Sequence, residues 1–177
     1  MSAADVVDLV SRLEAAGISI WLDGGWGVDA LVAEQTRPHS DLDIVARLDQ
    51  TDAIIEALRP AGLTISLDDR PTRLVVADAM DRRIDLHPVV FDPGGSARQI
   101  GAGANGGDAV YSADGFGGQG WVSGRAVQCL TPQLLVMHHL GYKPLAKDWH
   151  NVRTLCERFG LPIPASYAAF AESPETR

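Results

Sequence analysis

Two short motifs constrain the fold and the function of this chain more than any other feature. One is a pair of glycines, and the other is a pair of aspartates a short distance after it. Gly24 and Gly25 come first, and Asp41 and Asp43 follow the second glycine by sixteen and eighteen residues. On a strand, both aspartate side chains project from one face, with Cα atoms roughly 7 Å apart. Two such carboxylates can converge on one hard cation, and Mg²⁺ favours one or two carboxylates together with substrate phosphates. Asp41 and Asp43 are therefore predicted metal ligands.

The glycines and one arginine predict a phosphate-binding element beside these acids. Without Cβ atoms, Gly24 and Gly25 let backbone N–H groups approach a polyphosphate, and a helix that starts there directs its positive end at the anion. Arg37 offers a fork of donors that can grip a phosphate. Taken singly, the acids also fit a solvated strand edge and the glycines a tight turn. Their order and spacing together favour a nucleotide site.

A third acid extends the site. Residues 83–90 alternate as a strand, with Ile84 and Leu86 on one face and Asp85 and His87 on the other. A charge at such a packed sheet surface is costly unless a metal or another cation meets it. We therefore place Asp85 with the acidic pair. His87 shares its face and is predicted to contact the acceptor substrate.

These motifs carry a family resemblance. Gly24-Gly25-Trp26, Asp41-Leu42-Asp43 and residues 84–88 resemble the corresponding motifs of the polymerase-beta-like nucleotidyltransferase superfamily. Within it, residues 21–29 are most similar to the lincosamide nucleotidyltransferases, with the aminoglycoside 2''-nucleotidyltransferases as near relatives. The similarity covers most of the chain.

The resemblance implies a fold, a reaction and roles for the site residues. The expected fold is α/β (α+β), with a mixed sheet flanked by helices and a small C-terminal helical part. The expected reaction moves a nucleoside monophosphate from a nucleoside triphosphate, most naturally ATP, to a hydroxyl of a lincosamide or aminoglycoside. Mg²⁺ is the expected cofactor, and Asp85 is the general base, a metal ligand or both.

One departure from these relatives concerns the acceptor. Near the C-terminal end they tend to carry two aspartates three residues apart, whereas this chain has Asp148 followed by Asn151. The difference falls where the acceptor is expected to bind. It leaves the choice between lincosamide and aminoglycoside open.

Composition narrows the range of partners. The formal net charge of −8 argues against a nucleic-acid partner, because a phosphate backbone is held by a basic surface. A negative surface attracts cationic small molecules instead. The sequence contains no apolar run of about eighteen residues or more, so a membrane partner is not expected and the protein is predicted to be soluble and cytoplasmic. A homodimer stays open.

Length and periodicity predict the domain organisation. The 177 residues, 46% of them hydrophobic, suit a nucleotidyltransferase core over residues 1–130 and a helical segment over residues 131–177. The glycine-rich stretch 93–120 is predicted to be a loop, either a cover over bound substrates or flexible filler. Helices are predicted to begin near residues 2, 26, 51, 132 and 148, and strands are predicted near residues 18–22, 41–46, 63–67, 74–77, 83–90 and 126–130.

Two other functions stay open. A minimal nucleotidyltransferase that modifies a protein, like the antitoxins of toxin pairs, would share the acidic motif, although those relatives usually carry Gly-Ser where this chain has Gly24-Gly25. A noncatalytic module could keep the fold only to bind nucleotide or drug. Such a sensor has no need of three clustered carboxylates.

Overall fold

The predicted alternation of strands and helices forms one mixed sheet covered by helices. The structure is a computed structural model that describes residues 1–140 and 142–171. Its helices are α1 (Ala3–Ala15), α2 (Gly24–Val32), α3 (Thr51–Leu58), α4 (Pro132–His138), α5 (Ala146–Phe159) and α6 (Ala168–Ala171). Its strands are β1 (Ile20–Leu22), β2 (Leu42–Arg47), β3 (Thr64–Asp69), β4 (Arg73–Ala77), β5 (Arg83–Phe91), β6 (Ala97–Gln99), β7 (Ala109–Tyr111), β8 (Gly118–Val122) and β9 (Arg125–Cys129).

Strand pairing brings the acidic motifs together. The strands follow the order β3-β4-β5-β2-β1-β9-β8, while β6 joins the far end of β5 and β7 pairs with β6. Strands β2 and β5 are parallel neighbours, and their register places Asp43 directly beside Asp85. Because side chains on paired strands share a face at matched positions, both carboxylates leave the sheet on the same side. The mixed sheet flanked by helices confirms the predicted fold class.

The two faces of the sheet pack in two hydrophobic clusters. The first lies under α1 and α3 and takes the alternate β2 residues Leu42, Ile44 and Ala46. The second takes Val45 of β2 together with residues of α2, α4 and α5. Asp43 and Val45 are two residues apart on β2, so their side chains project from the same face of the sheet. Asp43 and its neighbour Asp85 therefore lie on the side of the sheet that α4 and α5 cover. The proposed boundary at residue 130 remains a prediction.

The helix predictions were accurate where the sequence supplies local capping and periodicity. Ser2 and Asp5 form the predicted capping box of α1, with Asp5 N–H donating to Ser2 Oγ at 3.2 Å. The helix α3 has the predicted bounds. The helix α4 ends at His138, earlier than predicted, and the predicted stop at Gly141 lies outside the described residues. None of the helices in the described ranges combines the length and apolarity that a membrane crossing requires.

The prediction that residues 93–120 form only a loop was wrong. This stretch contains β6, β7 and the start of β8. The glycines of β8 allow close packing, because a Cβ added at Gly120 would lie 2.4 Å from the Ala30 carbonyl oxygen of α2. Glycine in a strand that touches another backbone marks close approach rather than flexibility. Composition alone could not separate these two meanings.

Candidate active site

A cleft of about 1030 Å³ opens beside the paired ends of β2 and β5. Every residue that the sequence assigned to the site lines it, namely Gly24, Gly25, Arg37, Asp41, Asp43, Asp85 and His87. The cleft is also lined by residues of α4 and of the first part of α5. The structure therefore brings the predicted phosphate and metal elements into one cavity.

The glycine pair belongs to the helix itself rather than to a turn before it. The helix α2 begins at Gly24, two residues earlier than predicted, and the Asp23 carboxylate accepts the Gly24 N–H at 2.7 Å. Gly24 has a φ of +54°, and a Cβ there would lie 2.1 Å from Asp43 Oδ2. A side chain at this position would displace the Asp43 carboxylate, so glycine is required for the carboxylate to reach the positive end of α2.

The second glycine leaves space for the side chains of a histidine and an arginine. A Cβ added at Gly25 would lie 2.3 Å from His39 Nδ1 and 2.7 Å from Arg37 Nη2. His39 is buried, and its Nε2 is 2.5 Å from Asp29 Oδ2 on α2. The sequence signal for this pair is faint, because Asp29 and His39 are ten positions apart and no helix or strand lies between the end of α2 and His39. His39 and Arg37 thus border the first turn of α2.

Asp41 and Asp43 form a fitting half-site for a divalent cation. Burial raises the pKa of Asp43, and the neighbouring charges of Asp23 and Asp41 raise it further against an opposing interaction with His87. A cation between these carboxylates would relieve that crowding. Among residues 1–140 and 142–171, no three His, Cys, Asp or Glu side chains are arranged as a complete metal site. The acidic pair suits Mg²⁺ completed by substrate phosphates.

Asp85 has a protein cation as its partner. Arg73 Nε donates to Asp85 Oδ1 at 2.8 Å and to Oδ2 at 3.1 Å, and Arg73 Nη2 also donates to Oδ2. Asp85 is 7% exposed, so its charge needs such a partner. The expectation that a metal or cation meets this acid is thus satisfied by Arg73 of β4. A part for Asp85 in metal binding stays a prediction.

Hydrogen bonds from the glycine-rich segment hold His87. Gln99 Nε2 donates to Thr72 O at 2.7 Å and lies 3.2 Å from His87 Nδ1, and Tyr111 O–H donates to Gln99 Oε1 at 2.8 Å. The bond to Thr72 fixes which end of the amide faces the histidine, so Nδ1 accepts a hydrogen bond. His87 Nε2 then faces Asp43 Oδ1 at 3.7 Å. Burial lowers the pKa of His87, but Asp43, Asp23 and Asp85 outweigh it and raise the pKa to about 8.

A fourth acid, missed by the sequence interpretation, caps α2. Asp23 is 7% exposed, and its Oδ2 lies 3.6 Å from His138 Nδ1. Burial alone would raise the pKa of Asp23, but interactions with His138, His87 and the Gly24 N–H lower it to about 2. The His138 ring meets Tyr111 edge to face with centroids 4.5 Å apart. Asp immediately before a helix was the available signal, because that residue type is favoured at N-caps.

The α4 and α5 side of the cleft carries acidic, amide and apolar groups. Asp148 is buried, and its Oδ2 accepts the Leu145 N–H at the start of α5 at 2.9 Å. Asn151 Oδ1 faces Arg37 Nε and Nη2, both at 3.4 Å. Exposed apolar side chains line the same region, namely Val110, Met137 and Leu140. This side therefore offers the Asp148 carboxylate among amide, basic and apolar groups.

Three comparisons with known proteins agree with this geometry. The sequence profile described as aminoglycoside-2''-adenylyltransferase matches residues 5–155. A lincosamide resistance protein of Staphylococcus haemolyticus is 29% identical over 150 residues, which make up 85% of this chain and 89% of that protein.

Two solved structures are similar over most of their length. The lincomycin-bound lincosamide antibiotic adenylyltransferase LnuA has a TM-score of 0.74 at 28% identity, covering 86% of this chain and 94% of that chain. ANT(2'')-Ia in complex with adenylyl-2''-tobramycin has a TM-score of 0.73 at 15% identity, covering 96% of each chain. The second likeness concerns the fold alone.

The profile match spans most of the chain and includes β2, β4, β5 and α2, which build the acidic side of the cleft. The chain belongs to the aminoglycoside-2''-adenylyltransferase family.

Proposed function

We propose that this protein transfers adenosine monophosphate from ATP to a hydroxyl group of a lincosamide-type antibiotic. The acceptor oxygen attacks the α-phosphorus, the bond from that phosphorus to the bridging oxygen of pyrophosphate breaks, and pyrophosphate leaves with the electron pair. The acceptor proton passes to a base in the site. The observation that carries this proposal is that Asp41, Asp43 and Asp85 line one cleft beside the glycine start of α2, with Asp43 and Asp85 paired in register.

The triphosphate is assigned to the α2 end of the cleft. Gly24 N–H already donates to Asp23, but the amide groups that follow it in the first turn of α2 have no acceptors within the helix and therefore suit an anion. Arg37 lines the same part of the cleft, and its guanidinium N–H groups can donate to phosphate oxygens. In this arrangement Gly24 and Gly25 let Asp43 and Arg37 pack against the first turn of α2, since a Cβ at either position would meet one of these side chains.

The acids are assigned to charge neutralisation and proton uptake. Asp41 and Asp43 would hold Mg²⁺, which supplies neutralisation of phosphate charge when it is bound. Asp85 is proposed to accept the proton of the attacking hydroxyl, because its carboxylate lies beside Asp43 at the sheet end. His87 lies within reach of Asp43 and supports the orientation of that carboxylate. Positioning and preorganised charge then provide most of the acceleration.

The composition of the acceptor end favours a lincosamide. An aminoglycoside presents several ammonium groups, and a matching site needs several carboxylates. The α4 and α5 side of the cleft, assigned to the acceptor, instead combines Asp148 and the neutral Asn151 with Lys147, two histidines and apolar side chains. A lincosamide, with one amine and apolar substituents, matches such a surface. The similar LnuA structure contains lincomycin.

A panel of acceptors tests the proposal. Lincosamides and aminoglycosides are each incubated with ATP, GTP or CTP and Mg²⁺, and products are analysed by mass spectrometry. We expect a gain of one adenosine monophosphate on the lincosamides and little on the aminoglycosides. A gain on aminoglycosides alone would contradict the acceptor assignment. A nucleotide found only on a partner protein would favour the antitoxin-like alternative.

A further inference from the structure

We infer that Arg73 exchanges partners during the reaction. Its guanidinium leaves the Asp85 carboxylate and binds the triphosphate of ATP. In the free enzyme the guanidinium is paired with the Asp85 carboxylate, the proposed base. In the nucleotide complex it neutralises phosphate charge, and the carboxylate becomes available to the acceptor. This inference rests on the proposed function. It makes Arg73 a catalytic residue that contacts substrate.

The hydrogen bonds of Arg73 show why an exchange is needed. Both Asp85 oxygens accept from its guanidinium in a two-pronged arrangement. These three donations take up most of the roughly four acceptor sites of the carboxylate, so the guanidinium competes with an attacking hydroxyl for Asp85. A base held in this way is poorly suited to its task. Removal of the guanidinium when the nucleotide binds would free these acceptor sites for the hydroxyl.

The position of Arg73 gives it access to the phosphates. Its side chain lines the same cleft as Gly24 and Asp43, and its charge interacts with Asp43 and Asp41 as well as with Asp85. The side chain is 46% exposed, so about half of its surface is accessible to solvent. Arg73 is therefore already next to the acids where the proposed metal and triphosphate would lie.

The neighbouring arginines of the same hairpins are held more firmly. Arg70 forms ion pairs with both Asp52 and Asp68. Arg82 is only 16% exposed and bonds to Asp78 and to the Ala61 carbonyl. Within the described ranges, Arg73 instead has Asp85 as its one ion-pair partner. A single exchangeable partner distinguishes an arginine that can respond to substrate.

The charge changes along the reaction agree with the exchange. When the acceptor oxygen bonds to the α-phosphorus, its proton passes to Asp85, and the bond to the leaving oxygen breaks with its electron pair on pyrophosphate. The carboxylate thereby loses the charge that attracted Arg73, while pyrophosphate gains charge. An arginine on the phosphate side stabilises this developing charge.

A double-mutant cycle on ATP affinity tests the inference without turnover. Dissociation constants for ATP are measured by calorimetry, with Mg²⁺ present and acceptor absent, for wild type, Arg73→Ala, Asp85→Asn and the double variant. If Arg73 must leave Asp85 to bind ATP, Asp85→Asn tightens binding more when Arg73 is present than when it is absent. We expect this difference to be about 5- to 30-fold, with Arg73→Ala alone weakening binding about tenfold or more. Any direct contribution of Asp85 to metal binding appears in both arms and cancels.

A matched cycle provides the control. Arg12 and Asp8 form an exposed ion pair at 3.0 Å on α1, outside the cleft lining. The same four-variant cycle with Arg12→Ala and Asp8→Asn should leave ATP affinity unchanged. Chemical denaturation of each variant establishes that it is folded before its affinity is compared.

A measurement on the wild-type protein gives an independent result. The Nε–H resonance of Arg73 in ¹⁵N-labelled protein is assigned by its loss in Arg73→Lys, and it should shift when ATP saturates the site. An unchanged resonance, or a cycle with no coupling, overturns the exchange even if adenylyl transfer is observed. Failure of wild type to bind ATP at all would contradict the proposed function as well.

Discussion

Substitution of Gly25 by alanine is expected to damage both the fold near the site and nucleotide binding. The new Cβ would lie 2.3 Å from His39 Nδ1 and 2.7 Å from Arg37 Nη2. Arg37 can turn aside at little cost, but the buried His39 would have to move about 1 Å to regain ordinary contact. Such a movement breaks its 2.5 Å bond to Asp29.

The size of the effect follows from these contacts. Loss of a hydrogen bond to a charged group costs about 1.5–3 kcal/mol, and replacement of a helical glycine by alanine returns about 0.5–1 kcal/mol. Adding about 1 kcal/mol of residual overpacking, we expect the free energy of unfolding to fall by roughly 2–3 kcal/mol. Because 1 kcal/mol shifts Tm by about 2–4 °C in a domain of this size, Tm should fall by roughly 5–10 °C.

Denaturant unfolding and calorimetric titration with ATP measure the two consequences. The displaced first turn of α2 should weaken ATP binding by about tenfold or more. Gly17→Ala is the control, because a Cβ there has nothing within 4 Å and only its φ of +72° imposes strain. Its affinity for ATP should equal that of wild type. If Gly25→Ala retained stability within about 0.5 kcal/mol and affinity within about twofold, the proposed close packing around the phosphate site would be refuted.

Three further perturbations test other parts of the site. Gln99→Leu removes hydrogen bonds to the buried Tyr111 and to the half-buried Thr72 and His87, and should lower the free energy of unfolding by about 2–4 kcal/mol, against about 1 kcal/mol for Tyr111→Phe; equal losses in denaturant melts would exclude the central position of Gln99. Asp23→Asn retains an oxygen for its helix cap, and the stability gap to wild type should shrink as pH falls from about 4 to 2, because the lowered pKa of Asp23 makes its contribution disappear on protonation. A pH-independent gap in acid titrations would contradict this. Asp148→Asn should raise the KM for a cationic lincosamide while leaving the KM for ATP unchanged in steady-state assays; a selective change in the KM for ATP would place Asp148 elsewhere in function.

Local pattern was sufficient to identify the acids and glycines of the cleft. Alternation along β2 and β5 indicated which faces carry Asp43 and Asp85. The glycine pair indicated a nearby helix start, although α2 begins at Gly24, two residues earlier than predicted. The parallel pairing that places the two acids side by side is a tertiary feature. It could be expected only through the family resemblance, because nothing in either strand alone selects its neighbour.

The remaining site residues depend on contacts that local pattern does not encode. Arg73 reaches Asp85 because β4 pairs antiparallel with β5 in a register that places Val75 opposite Asp85. Gln99 and Tyr111 lie on strands of only three residues within the glycine-rich stretch. Three residues are too few for alternation to be distinguished from irregular loop. The sequence therefore indicated the acidic centre but not the side chains that orient it.

The most direct test follows pyrophosphate and product together. Lincomycin, ATP and Mg²⁺ are incubated with wild type, Asp41→Asn and Asp43→Asn, and pyrophosphate and adenylylated lincomycin are quantified in the same samples. The account predicts equal amounts of both products from wild type, and loss of both from each variant despite retained folding and thermal stability. Undiminished transfer by Asp43→Asn, or pyrophosphate release without any adenylylated acceptor, would contradict it.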